Sequence, residues 1–283
     1  DVFSSVHGET QPDSNIVIIH ISEDDLSSIG PWPLKRSYYA LLIKSLEKYK
    51  TKRIGIEIFL SSRVVTQTIY DNVLVSEINK AGNVVLASVA GNTSDNDEMF
   101  TTDSLSYPSP KLLNEKITTG HLNFLNKNRV TIPLHIKAGG EEEKSFSVQL
   151  AESGHSENYP QSIEVNTFSY WQSFTNYSLL DFFELVENED PVLESLKNKI
   201  VIIGVSDPLI AVSVKSSFDE RLPGVGLHAF ATDNLLNKRW FDNSYYFISS
   251  IVFLIILLIT IFFISRRKHA KQFFVLLFFF IAV

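Results

Sequence analysis

Tyr245–Ile264 is a run of twenty residues without a single charge. At about 1.5 Å per helical residue it reaches roughly 30 Å, the thickness of a bilayer's hydrocarbon core. Ser265-Arg266-Arg267-Lys268-His269-Ala270-Lys271 follows, and then a second apolar stretch, Gln272–Val283. The pattern predicts a transmembrane helix at 245–264, a basic loop at 265–271 and the start of a second membrane helix at 272–283. Short loops rich in Lys and Arg stay in the cytoplasm. Arg266, Arg267, Lys268 and Lys271 therefore place the large region before Tyr245 outside the cytoplasm, in a multi-pass protein of the cell membrane. Tyr245 and Tyr246 fit the aromatic belt at the outer interface. A run that stops in mid-span implies further sequence beyond Val283, an effector domain being one expectation. A domain of this size also needs a signal or membrane helix upstream of Asp1 to cross.

Residues 1–240 are long enough to bury a core without staples. The chain carries a net charge of -7; setting aside the four Lys/Arg after Ser244 leaves 21 basic against 32 acidic groups, a net of -11. An acidic domain argues against nucleic acid as a partner. With no cysteine, disulfides, thiolate metal sites and a Cys nucleophile are excluded.

Asn15–Ile21 is a β-branched apolar run of the kind that becomes a strand buried on both faces. Gly30-Pro31-Trp32-Pro33 reads as a rigid loop, and Tyr38–Tyr49 has helical spacing. A second strand is expected over Arg53–Phe59, a helix over Tyr70–Lys80 and a third strand over Gly82–Ser88. Gly91–Pro110, rich in Ser, Thr, Asp and Pro, reads as a long surface loop. Thr118–Asn123 and Arg129–Ile136 read as strands joined around Asn126-Lys127-Asn128, a hairpin signal. Phe146–Glu152 and Leu179–Glu187 read as helices, and Ser162–Val165 as a strand. Lys199–Gly204 reads as another buried strand, with a helix entered through Pro223–Ala229. Alternating strands and helices imply a parallel sheet between helical layers. The expected fold is therefore a three-layer α/β sandwich, mostly parallel, with an inserted antiparallel hairpin, followed by transmembrane α-helices.

These segments in this order resemble the CHASE2 family of extracytoplasmic sensor domains. The resemblance rests on Ile16–Leu26, Ile29-Gly30-Pro31-Trp32-Pro33, Arg36, Ile54–Phe59, Gly120–Asn123 and Arg129–Pro133. It continues through Lys199–Gly204, Pro223–Ala229 and Asn234-Leu235-Leu236. It implies an outside sensor domain, closing membrane helices and a cytoplasmic kinase or cyclase. This sequence departs from the pattern at Ser22 and Glu57, where the family often carries Asp, and at Ile210-Ala211-Val212, near another family Asp. If those carboxylates bind a ligand in other members, the resemblance implies that the site is altered or lost here.

In open α/β sheets, ligands bind beyond the carboxyl ends of the strands. Those ends supply Ser22, Glu23, Glu57, Ser206 and Asp207, with Arg36 and His228 at helix starts, as candidate ligand-binding residues for a small polar ligand. The plainer expectation is that Glu57 forms a buried salt bridge with Arg36 or Lys35, because a carboxylate inside an apolar strand needs a partner. Trp32 is expected to pack over the core edge. The histidines lack metal-ligand spacing. Gly204-Val205-Ser206-Asp207-Pro208 lacks the second glycine of a nucleophile elbow, so a triad of Ser206, His228 and Asp207 has little support. No catalytic residue, metal or cofactor is implied, and the chain is read as no enzyme. The expected function is a membrane-anchored sensor relaying an envelope ligand or partner across the bilayer, with self-association as a dimer. The alternative is a structural or interaction subunit that docks other envelope proteins.

Overall fold

The computed structural model describes residues 10–61, 68–96, 99–114, 117–126, 129–152, 159–241 and 244–265. The expected basic loop, apart from Ser265, and the second membrane segment lie outside the described residues. The chain divides into two compact units, Asp1–Phe241 and Asp242–Val283.

The first unit opens with β1 (Ile16–Ile21), α1 (Glu23–Ile29), α2 (Arg36–Lys48), β2 (Arg53–Ile56), α3 (Thr68–Ala81) and β3 (Val84–Ala90). Short strands follow: β4 (Thr93–Asp95), β5 (Phe100–Thr102), β6 (Leu105–Ser106), β7 (Thr118–His121), β8 (Leu125–Asn126), β9 (Val130–Pro133), β10 (His135–Ala138) and β11 (Glu141–Lys144). The rest comprises α4 (Phe146–Ala151), β12 (Ser162–Glu164), β13 (Thr175–Ser178), α5 (Leu179–Glu187), β14 (Ile200–Val205), β15 (Ser213–Val214), β16 (Leu222–Pro223) and α6 (Gly224–Asn237).

The main sheet runs β13-β1-β14-β2-β3, with β7 parallel and β6 antiparallel on β3. β14 lies between β1 and β2 and is parallel to both, Ile19 opposing Ile203 and Ile203 opposing Ile56. The period-two alternation of strand side chains then splits the core into two layers. Val17, Ile19, Ile54, Ile56, Val201 and Ile203 face α2, α3 and α5, where Leu42, Leu46, Leu74 and Phe182 meet them. Ile16, Ile18, Val85, Ile200 and Ile202 face α4 and α6 on the other side, among Phe146, Leu150, Leu227 and Phe230. Gly55 is small because Phe146 lies on it; an added Cβ would stand 2.7 Å from that ring.

Three expectations need correction. Gly91–Pro110 holds β4, β5 and β6, with β4 and β5 joined to β10 and β11 in a four-stranded sheet. These strands are two or three residues long and largely polar, so no alternation was there to read. Thr118–Asn123 is not one arm of a hairpin with Arg129–Ile136: β7 extends the main sheet, and the antiparallel pair is β8 with β9. A second hairpin, β10–β11, turns on Gly139-Gly140 at positive φ, the backbone that two-residue hairpin loops demand. Glu57, placed inside a strand by its sequence, follows the end of β2, although its N–H still donates to the Ile203 carbonyl at 2.8 Å.

The second unit contains α7 (Ser244–Ser265), 22 residues long. Its side chains are described over 250–261, almost all exposed. Among the described residues no helix is long and apolar enough to cross a membrane. The expected span 245–264 thus coincides with a helix, without a described stretch that qualifies as a crossing.

Candidate functional site

The helices after β1 and β2 pack on one face of the sheet, whereas α6, after β14, packs on the other. Chain connections therefore part at the β14–β2 boundary, the kind of place where open α/β sheets form ligand crevices. A cavity of about 480 Å³ lies there. Glu57 and Ile58 border it after β2, Val89 on β3, and Val205 at the end of β14. Trp32, Phe59 and Phe124 supply aromatic walls, and Ile210, Ala211 and Val212 come from the loop after β14. Trp32, which precedes a cis Trp32–Pro33 peptide, packs against the core as expected and also lines this cavity.

Glu57 retains partial exposure while protein atoms close in on its carboxyl. Two glycines make room for it. A Cβ on Gly204 would stand 2.6 Å from its Oε2, and one on Gly224 would meet its Oε1. Gly224 begins α6, so the carboxyl sits against the first turn of a fourteen-residue helix. Burial pushes its pKa up to about 8, although the positive end of α6 pulls the other way.

The expected partners of Glu57 are otherwise engaged. Arg36, buried at the start of α2, pairs with Asp71 of α3 and donates to the Ser61 carbonyl. Lys35 is exposed. The salt bridge expected for Glu57 is therefore formed by Asp71, a residue the sequence did not single out. Among the described residues, none donates a hydrogen bond to the Glu57 carboxyl.

The other candidates are dispersed. Ser22 caps α1, and Glu23 is exposed beside it. The carboxylate that matters there is Asp25, buried at 1% exposure. Its Oδ2 accepts from the Ser22 N–H and Oγ at 2.7 Å each, and its oxygens also accept from the Leu179 and Leu180 N–H groups of α5. The spacing Ser22-x-x-Asp25 is a capping-box pattern that could have pointed to it.

Ser206 Oγ lies 2.8 Å from His20 Nδ1. Asp207 ties the following loop, accepting from the Leu209 N–H at 2.7 Å through its side chain and from the Ala211 N–H at 2.8 Å through its carbonyl. It thereby holds Ile210–Val212 over the cavity. His228 is buried in the α4–α6 layer, edge-on to Phe146, with Ser147 Oγ 3.3 Å from its Nδ1. Ser206, Asp207 and His228 thus form no triad, and the seven candidates do not converge on one ligand. Glu57 alone reaches the cavity, with Asp207 acting on its wall. Among the described residues, no group of three His, Cys, Asp or Glu side chains is placed to hold a metal.

The buried groups carry a pH signature. Glutamate ionises near 4.5 when free, so between about 4.5 and 8 the folded chain keeps a Glu57 proton that the unfolded chain has released. Stability falls with rising pH across that window. Burial lowers His121 to about 3 and His228 to about 4 from 6.5. Their contribution is lost as pH drops below 6.5, where the unfolded chain takes up protons first. Wild-type stability is expected to peak at about pH 6.5 and decline toward pH 8.5, and Glu57→Gln to flatten that decline. Urea unfolding in detergent micelles at both pH values checks this. Identical losses in the two proteins would rule out a raised Glu57 pKa.

No curated protein and no solved structure matches this chain. A family model, the CHASE2 domain, matches residues 1–264, a range that takes in the three-layer domain, the crevice at Glu57 and nearly all of α7. Of the blocks that carry the resemblance in sequence, those on β1, β2, β7 and β14 build the main sheet and the one on α6 begins beside the crevice, while the one on β9 lies in a separate sheet with β8 and β12. On that match, the chain belongs to the CHASE2 family of extracytoplasmic sensor domains.

Proposed function

We propose that this chain is a membrane-anchored sensor, that its stimulus enters the crevice beside Glu57, and that α6 and α7 carry the response to the bilayer. The observation that most supports this reading is the Glu57 carboxyl, packed on the first turn of α6 with no donor of its own among the described residues. Fourteen helical residues make a rod of about 21 Å. A stimulus that alters the surroundings of Glu57 acts on the start of that rod, and the chain leads from its end through 238–243 to α7. Such a relay needs only a small difference in stimulus affinity between two helix arrangements. The uncharged run 245–264 supports a membrane crossing, and the basic loop supports the domain lying outside the cytoplasm. The proposed role is binding rather than catalysis.

The absence of cysteine makes the anchoring testable. A cysteine at exposed Ser28 is expected to react with a membrane-impermeant maleimide on intact cells, and one at Lys268 only after lysis. The opposite pattern would contradict an envelope stimulus.

One observation favours a protein as the stimulus or partner. Leu209 and Val212, on the loop that borders the crevice, are 89% and 66% exposed. In that reading the domain docks another envelope protein or a second copy. Leu209→Asp combined with Val212→Asp is then expected to abolish co-purification of the partner or dimer, and unchanged association would set it aside.

A further inference from the structure

The chemistry of the crevice specifies its ligand beyond the sensory reading on which this inference rests. Apart from the indole N–H of Trp32, the polar groups on the side chains that line the cavity are those of Glu57 and Asn123. Asn123 is committed: its Oδ1 accepts from the Ala90 N–H at 2.7 Å and its Nδ2 donates to the Ala90 carbonyl at 2.8 Å. The buried cation nearest in sequence, Arg36, is held by Asp71 and the Ser61 carbonyl. What remains facing the space is one carboxyl group among aliphatic side chains and the rings of Trp32, Phe59 and Phe124.

A carboxyl in such surroundings is disfavoured until a donor reaches it. Aromatic faces attract cations as well as apolar surface. A cation offsets that cost by favouring the ionised carboxylate, whereas a ligand anion opposes its ionisation and a purely apolar ligand leaves the carboxyl unsatisfied. Cavities of about 300–1,000 Å³ hold small organic molecules that are largely enclosed, and this one, at about 480 Å³, is in that range.

We infer that the crevice binds a small organic ammonium ion, its apolar body among Trp32, Phe59 and Phe124 and its nitrogen donating to the Glu57 carboxylate.

The test uses the full chain in detergent micelles and isothermal titration with three probes of like size: 2-phenylethylamine, 2-phenylethanol and 3-phenylpropanoate. The amine is expected to bind most tightly and the carboxylate not at all. Glu57→Gln, nearly isosteric, is expected to weaken the amine by about tenfold or more while leaving the alcohol unchanged, as loss of a charge-assisted hydrogen bond requires. Ala211→Trp, which fills the cavity, is expected to abolish binding of both and so separates it from uptake by micelles. If the alcohol binds as well as the amine and Glu57→Gln affects neither, the ammonium assignment falls and the crevice stands as a binding site. If no probe binds, or Ala211→Trp leaves binding intact, the crevice itself is not the site and both readings fall.

Discussion

Arg36→Ala is expected to destabilise the domain by about 3–5 kcal/mol, the usual consequence of removing one partner from a buried ion pair. Arg36 and Asp71 are 3% and 0% exposed, and the truncation would leave the Asp71 carboxylate facing α2 with no cation. Asp71→Ala should cost as much by taking its carboxylate partner from the buried guanidinium. The double replacement Arg36→Met, Asp71→Leu should recover most of the loss, because two desolvation penalties vanish with the pair. Urea unfolding of the four proteins forms a double-mutant cycle. Additive losses would show that the two side chains do not act as a pair. The pair links the starts of α2 and α3, the helices that cover β1, β14 and β2 on the side away from Glu57.

Asp25→Ala is expected to cost about 3 kcal/mol, since hydrogen bonds to a charged group contribute about 1.5–3 kcal/mol each and do not add fully. Asp25 is a clasp rather than an ordinary cap. Within its own helix it completes the capping box with Ser22. Across the fold it accepts from the Leu180 N–H at 2.9 Å and the Leu179 N–H at 3.3 Å, so one carboxylate holds the first turns of α1 and α5. Negative charge at two helix N-termini adds to this. Asp25→Asn keeps acceptor oxygen but loses the charge and should lie between the two. Thermal unfolding of the three proteins checks the order. A loss below about 1 kcal/mol for Asp25→Ala, the size of a single lost cap, would mean that the link to α5 contributes nothing.

The sequence and the structure agree most where one local cause sufficed. Ile16–Ile21 and Ile200–Val205 are β-branched runs with no polar face, so they had to be central strands, and their burial is complete except at His20. Tyr39, Leu42 and Leu46 recur at helical spacing and form one buried stripe of α2. What stayed hidden was long-range. Nothing within Ile200–Val205 says that it enters between β1 and β2, or that Thr175–Ser178 pairs beyond β1, because strand order is decided by packing among distant segments.

The site divides in the same way. Glu57 was legible because a lone carboxylate ends an apolar strand. Its neighbours were not: nothing in the sequence marks Phe59 or Phe124 as a wall of a cavity, and Gly204 and Gly224 gain meaning only once β14 is beside β2. Arg36 was noticed for its place before a helix, yet its partner on α3 required the tertiary fold. The departures from the family pattern at Glu57 and Ile210–Val212 prove to border the same cavity.

The measurement that bears most directly on the sensory reading joins the crevice to the membrane segment. A cysteine replacing Thr260 on α7 gives one reporter in an otherwise cysteine-free chain, and disulfide cross-linking in native membranes reads the arrangement of that helix in self-associated chains. Filling the crevice with Ala211→Trp mimics occupancy. The expected result is a clear change in the extent or rate of cross-linking through the Thr260→Cys reporter relative to the unfilled crevice, at equal protein level. Identical cross-linking with the crevice open and filled would mean that α6 carries no message from Glu57 to the bilayer, contradicting the proposed relay.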